Sequence, residues 1–388
     1  MGGGSMGHVN FDERPMLVFW ETTKACLLEC KHCRAEAIHT PMENELTNKE
    51  AFDFVRSLLS FGRPYPVLIM TGGDVLMRPD VFPIVEYARS LGIPVGLAPS
   101  VTPRLTDDSI VRMKELGVKV VSISLDGSTP QTHEGIRGIA GHFDQTVDAL
   151  RRLVEAGFEV QVNTAVMSDN AAELPALAQL LKETGVHIWE VFFLIHVGRG
   201  KQSHELPPAQ CEDVCNFLYD ASKYDITVRT VEAPFFRRVV AARKAAEHHL
   251  DTEASNLANT TEFPSFPLGD LYSQLSTELC ERLGAPTSVP RAQTSGTRDG
   301  KGIIFVAHDG TVYPAGFLPV TLGNIRETPL PDIYRENVVL RDIREGHFEG
   351  KCGSCEYRDA CGGSRSRAFA NTGNPLSSDP ACDYQPAS

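Results

Sequence analysis

The chain has 388 residues, more than one small domain needs, so a main domain with an appendage is expected. Hydrophobic residues make up 42% of it in the manner of an ordinary soluble globular protein, and no apolar run is long enough to span a bilayer, so no membrane segment is expected. With 50 acidic residues against 37 basic ones, the net charge of −13 disfavours the phosphate contacts that dominate nucleic-acid binding.

Residues 1–8, Met1-Gly-Gly-Gly-Ser-Met-Gly-His8, read as an added tag before a native start near Met6, and they lack the basic and apolar stretches of a signal peptide. The 10 cysteines, without an export signal, point to a reducing cytoplasm and to metal binding. The first strand is expected at Leu17–Glu21, followed closely by Cys26, Cys30 and Cys33. Three thiolates at this spacing can hold three irons of a [4Fe–4S] cube and leave the fourth without a protein ligand. The paired C-x2-C knuckles of zinc sites match the spacing poorly.

Further strands are expected at Val67–Thr71, Pro94–Ala98, Lys119–Ser124, Glu159–Val166 and Ile188–Leu194. Helical patterns at Asn48–Phe61, Asp80–Leu91, Asp107–Leu116, Phe143–Ala156 and Ala171–Thr184 separate them. Six strand–helix units in series predict an α/β fold, a parallel sheet forming an open, partial (β/α)6 TIM-like barrel over residues 9–206. The rhythm breaks after about Gly200, so no seventh or eighth unit is expected. The chemistry of such a barrel sits at the carboxyl ends of its strands. There lie Thr71-Gly72-Gly73-Asp74, Ser124-Leu-Asp126-Gly127, Gly135-Ile-Arg137-Gly138, Asn163 and Val197–Gly200. Each also has a plainer reading as turn chemistry, a solvated arginine or a polar strand residue.

Residues 207–300 read as a helical and loop linker, with helices at Pro208–Lys223 and Ala233–His249. Asp251–Phe266 and Ala285–Gly300 are polar and rich in Ser, Thr, Pro and Gly, as segments that order only over a bound ligand are. Cys211, Cys215 and Cys280 read as buried thiols. In residues 301–388, Cys352, Cys355, Cys361 and Cys382 are enough to close a [4Fe–4S] cluster, or a zinc ribbon.

Cys26, Cys30 and Cys33 resemble the cluster motif of the radical S-adenosylmethionine (AdoMet) enzymes. Gly310–Pro314, Leu322–Ile325 and the run from Cys352 to Cys361-Gly-Gly resemble the SPASM/twitch extension of that superfamily. The likeness covers residues 16 to 384. It implies that the open iron binds AdoMet and that reductive cleavage gives a 5′-deoxyadenosyl radical. It also puts His32 where an aromatic residue stacks near the adenine, and Gly72-Gly73-Asp74 where a Gly-Gly-Glu motif meets the methionine amino group. Ser124 falls against the ribose or carboxylate, Arg137 against a carboxylate, and Asn163 and Val197–Gly200 on the AdoMet rim. The implied electron donor is of flavodoxin or ferredoxin type. Two places depart from the pattern: Tyr313-Pro314-Ala315 and Gly363-Ser364 lack the cysteines of an inner auxiliary cluster. One auxiliary [4Fe–4S] cluster is therefore expected, on Cys352, Cys355, Cys361 and Cys382, with room beside AdoMet for a bulky substrate.

The Cys-Lys-His-Cys start and Tyr313–Phe317 are similar to enzymes of heme d1 and alternative heme biosynthesis, which act on propionates of iron tetrapyrroles. The expected activity is hydrogen abstraction from such a side chain, with oxidative decarboxylation or another modification. His196, Arg199, Arg237, Arg238 and His308 are candidate substrate contacts, or else surface and structural groups. Two other readings stay open. One is a peptide maturase served by a separate partner, for whose usual recognition domain Cys26 lies too near the start. The other is a non-catalytic iron–sulfur electron carrier.

Overall fold

The structure, a computed structural model, describes residues 10–253, 268–293 and 296–386. The tag segment 1–8 and residues 254–266 of the polar stretch lie outside the described residues. Among the described residues ten strands form one sheet: β1 (Leu17–Glu21), β2 (Val67–Thr71), β3 (Val95–Leu97), β4 (Val120–Ser124), β5 (Glu159–Val166), β6 (Ile188–Phe193), β7 (Thr227–Val231), β8 (Ile303–Val306), β9 (Thr311–Tyr313) and β10 (Gly323–Asn324). Their order is β10-β9-β8-β1-β2-β3-β4-β5-β6-β7. β8 and β1 to β7 run parallel, whereas β9 and β10 are antiparallel additions at the β8 edge.

The crossovers carry α1 (Asn48–Ser57), α2 (Val81–Ser90), α3 (Asp107–Glu115), α4 (Pro130–Arg137), α5 (His142–Glu155), α6 (Leu174–Thr184) and α7 (Pro208–Ala221). The helix starts are chemically specified. Thr47 and Glu50 form a capping box on α1, and Thr106 and Thr129 cap α3 and α4 through their side chains. Strand alternation then decides the layers. Val18 and Trp20 of β1 are fully buried, and Trp20 packs edge-on to Phe54 of α1 with ring centroids 5.3 Å apart. Phe19 and Glu21 therefore face the interior of the open barrel. The same parity turns Glu190 and Phe192 of β6 inward, since Trp189, Val191 and Phe193 fill the helix side.

The partial barrel is present, but the sheet does not stop at six strands. β7 follows α7 inside the region read as linker, and its Glu190↔Arg229 register continues the inner layer. Its Thr-Val-Arg-Thr-Val run is short and more than half polar, so the sequence rhythm hid it. β8 comes from the carboxyl-terminal region and pairs with β1 in the register Phe19↔Phe305, a non-local pairing with no local signal. In the polar segment Ala285–Gly300, Thr287 N and Ser288 N donate to Lys223 O at 3.0 and 2.9 Å, and residues 291–293 lie along β7, where Val228 N donates to Arg291 O at 3.2 Å and Gln293 N to Val228 O at 2.9 Å. The remaining helices are α8 (Phe236–Glu253), α9 (Asp270–Leu283), α10 (Leu330–Glu336), α11 (Val338–Glu345), α12 (Gly350–Ser354) and α13 (Arg365–Thr372). Among the described residues no helix is long and apolar enough to cross a membrane.

Candidate active site

Cys26, Cys30 and Cys33 sit on the loop between β1 and α1, at the carboxyl end of the sheet. All three are free thiols, and each sulfur meets a hydrogen-bond donor. Leu28 N donates to Cys26 Sγ at 3.4 Å, Ala37 N to Cys33 Sγ at 3.5 Å and Arg137 to Cys30 Sγ at 3.5 Å. Such donors suit sulfurs that carry thiolate charge. Among the described residues no three His, Cys, Asp or Glu side chains converge on a single ion. A cube differs in taking each thiolate on a separate iron, so this donor set fits a cluster.

Gly72 and Gly73 hold the neighbouring loop against that one. Gly73 N donates to Thr23 O at 2.8 Å and Asp74 N to Ala25 O at 2.7 Å. A Cβ on Gly73 would stand 2.3 Å from Ala25 O, backbone against backbone, so no side chain can yield. Gly73→Ala is expected to cost about 3 kcal/mol and to unseat the Cys26 loop. Thermal melting and iron content identical to the parent would refute this. The Asp74 carboxylate is buried and accepts from Leu76 N, Ser100 N and Thr102 Oγ1 at 3.1, 3.3 and 2.7 Å. It locks the loop after β2 to the loop after β3.

His32 and Arg137 converge on Asp126. Arg137 reaches Asp126 Oδ2 at 2.6 Å, and His32 Nε2 lies 3.5 Å from the same oxygen. The carboxylate that Arg137 holds is thus one of this chain's own. Burial pushes His32 down to about 4, against the opposing charge of Asp126, so its ring is neutral. Asp126 N donates to His133 Nδ1 at 3.1 Å, His133 Nε2 to His142 Nδ1 at 2.8 Å, and His142 Nε2 to Val101 O at 3.0 Å. Because the Val101 carbonyl can only accept, the direction of the whole chain and both tautomers are set. Ser124 and Asn163 are direct partners across β4 and β5, with Asn163 Oδ1 accepting from Gln161 at 2.8 Å.

Glu21 closes the mouth on its other side. It takes Arg34, next to Cys33, at 2.6 Å and His308, just past β8, at 2.8 Å. Burial pushes the Glu21 carboxyl up, but Arg34 and His308 overcome it and hold it at about 2. A depressed carboxyl contributes stability that is present above its unfolded value of 4.5 and is lost as pH falls towards 2. Glu21→Gln is expected to lose up to about 3 kcal/mol at pH 7, with the gap to the parent shrinking on acidification over that window. A gap independent of pH in denaturant titrations would contradict this. Aromatic rings complete the mouth. Arg34 lies 4.6 Å over Phe305, Phe305 faces Tyr313 at 6.3 Å, and Phe317 meets Phe192 of β6 at 6.2 Å, from the far side of the open barrel.

The second cysteine set packs beside α7 and α13. Cys352 Sγ accepts from Asp379 N at 3.4 Å and Arg365 at 3.7 Å, Cys355 Sγ from Tyr357 N at 3.4 Å and Cys361 Sγ from Gly363 N at 3.4 Å. The Tyr384 backbone serves Cys382. Gly363, at φ 65°, would place a Cβ 3.0 Å from Cys352 Sγ, which explains the Cys-Gly-Gly run. These donors fit a cluster as the first set does. The two positions without cysteine are filled otherwise. Ala315 packs with Leu318 and Ile343, and Ser364 donates to Glu232. Ser366 Oγ joins Glu232 and Asp299 at 2.9 and 2.8 Å, and burial pushes both carboxyls up, the charge of Asp299 adding to the rise of Glu232. Arg367 ties this knot to the barrel, donating to Glu232 O, Asp379 Oδ1 and Leu194 O at 2.8, 3.4 and 3.2 Å. Sequence reasoning missed Glu21, Arg34, Glu232 and Asp299. Only the isolated charge ending an apolar strand, Glu21, left a local trace.

Of the looser candidates, Arg238 pairs with Glu212 at 2.5 Å and Arg237 donates to Ala360 O at 2.9 Å, both structural contacts. Arg199 N donates to Cys33 O at 3.1 Å, and two of its guanidinium nitrogens are buried without a partner. Cys211 and Cys215 are buried thiols, with burial pushing Cys211 up to about 12, whereas Cys280 is exposed.

Residues 20–181 match the model of the radical SAM superfamily, and residues 298–356 that of SPASM, an iron–sulfur cluster-binding domain. The chain is 35% identical over 374 residues to the AdoMet-dependent heme synthase of Methanosarcina barkeri, spanning 96% of this chain and 97% of that protein. It is 33% identical to the AdoMet-dependent heme synthase of Oleidesulfovibrio alaskensis, over 95% of this chain and 87% of that one. Streptococcus suis SuiB bound to S-adenosylmethionine shares the fold, with a TM-score of 0.62 at 14% identity over 96% of this chain and 78% of SuiB. The chain belongs to the radical SAM superfamily and is an enzyme. Its radical SAM domain binds a [4Fe–4S] cluster and AdoMet, and its SPASM domain binds auxiliary iron–sulfur clusters.

Proposed function

We propose that this enzyme converts propionate side chains of an iron coproporphyrin to vinyl groups. The observation that carries this reading is the end-to-end likeness to two heme synthases. For each side chain a hydrogen atom leaves the carbon attached to the ring, the bond to the carboxylate breaks with release of CO2, a double bond forms, and one electron is left over. Bound on Cys26, Cys30 and Cys33, a cluster with AdoMet supplies a 5′-deoxyadenosyl radical, and a second cluster on Cys352, Cys355, Cys361 and Cys382 supplies an electron acceptor.

The chain's own residues supply placement. Phe192, Phe305, Tyr313 and Phe317 give the mouth flat apolar surface suited to a macrocycle. Arg199, anchored to the Cys33 loop by its backbone N–H on Cys33 O, supplies a cation for a propionate carboxylate. Glu21 keeps Arg34 and His308 at the rim, where an unpaired carboxylate would otherwise repel the substrate. His32, Ser124 and Asn163 line the AdoMet side, and the backbone of Gly72 and Gly73 faces its amino group. Anaerobic turnover with AdoMet, a strong reductant and iron coproporphyrin III tests the reading. Loss of the mass of carboxyl groups in step with 5′-deoxyadenosine is expected; deoxyadenosine with an intact porphyrin would overturn it.

A further inference from the structure

Resting on that reading, we infer that His308 is the axial ligand that holds the iron of the tetrapyrrole substrate. The residue follows β8 at the carboxyl end of the sheet, the same end as the three-cysteine loop. Its Nδ1 stands 2.8 Å from Glu21 Oε1. Glu21 is itself buried and kept ionised by Arg34, so it can only accept, and Nδ1 must carry the proton. In the neutral ring the lone pair then falls on Nε2. No group among the described residues takes Nε2, and it is not among the sealed-in polar atoms. A carboxylate fixing the tautomer of an imidazole whose other nitrogen is open is the arrangement by which proteins prepare histidine for a metal.

The surroundings fit iron in a flat ring better than a bare ion. His308 and Glu21 are flanked by Phe305, Tyr313 and the Arg34 guanidinium, and among the described residues no group of three His, Cys, Asp or Glu gathers to form a mononuclear site. A porphyrin brings four nitrogens of its own and asks the protein for only one or two ligands. Ligation here gives the macrocycle a fixed centre about which its propionates are presented. Glu21 acts through His308 as a positioning residue.

The test is binding of ferric iron coproporphyrin III and of metal-free coproporphyrin III to the cluster-loaded enzyme, followed by absorption and electron paramagnetic resonance. The parent is expected to show imidazole-ligated iron and to bind the iron form about tenfold or more tighter than the metal-free form. His308→Ala should lose the imidazole signature and the preference for iron, with added imidazole restoring the signature. His308→Met, which keeps the side-chain volume, should exchange it for a thioether signature. An imidazole signature unchanged in both variants would overturn the ligand assignment and leave the substrate reading standing. A parent enzyme that binds neither porphyrin would overturn both.

Discussion

Cys30→Ala is expected to abolish 5′-deoxyadenosine formation and to remove the iron and sulfide of one cluster, leaving the signal of the second cluster in place. Cys30 is the thiol that Arg137 reaches, and Arg137 is bound in turn to Asp126 and the His133–His142 chain. The substitution removes one of three irons' ligands but leaves that scaffold its Asp126 contact, so the melting temperature of the iron-free protein should move little. Iron analysis and electron paramagnetic resonance of the reduced variant, alongside AdoMet cleavage, check this. Cleavage at the parental rate would mean that Cys30 holds no cluster.

Arg367→Met is the most damaging substitution expected away from the thiols. The guanidinium is buried and makes contacts to Leu194 after β6, Glu232 after β7 and Asp379 beside Cys352. Removing the cation leaves Asp379 buried without its charge partner, at a cost of about 3–5 kcal/mol. Asp379 N is also a donor to Cys352 Sγ, so the auxiliary iron should be lost together with the stability. A variant with parental melting and full iron would show that the knot is not what joins the carboxyl-terminal region to the barrel.

The strands β1 to β6 were legible because each is a β-branched or apolar run between helices of clear period, and β1, β2 and β5 fall on their expected bounds. Spacing drew attention to both cysteine sets, although for Cys352, Cys355, Cys361 and Cys382 it left a zinc ribbon open beside a cluster. What escaped was non-local. β8 finds its partner β1 nearly 300 residues away, by the register Leu17↔Ile303, and nothing in Ile303–Val306 announces a parallel edge. α4 was missed because it is only 8 residues long and marked mainly by its Thr129 cap and Pro130. The Asp74 carboxylate illustrates a finer limit. Spacing after β2 locates the loop, but only the fold shows that Thr102 and Ser100 occupy the side chain and that Gly72 and Gly73 carry the close approach. Likewise Glu21, Arg34 and His308 come from three separated segments, so their convergence is a property of the assembled mouth.

The most direct measurement is turnover with iron coproporphyrin III deuterated at the propionate carbons attached to the ring. The account predicts 5′-deoxyadenosine carrying one deuterium for each propionate converted, because that hydrogen must leave for the vinyl group to form. Deuterium retained in full by the porphyrin, with unlabelled 5′-deoxyadenosine accumulating, would contradict it and place the radical on another substrate.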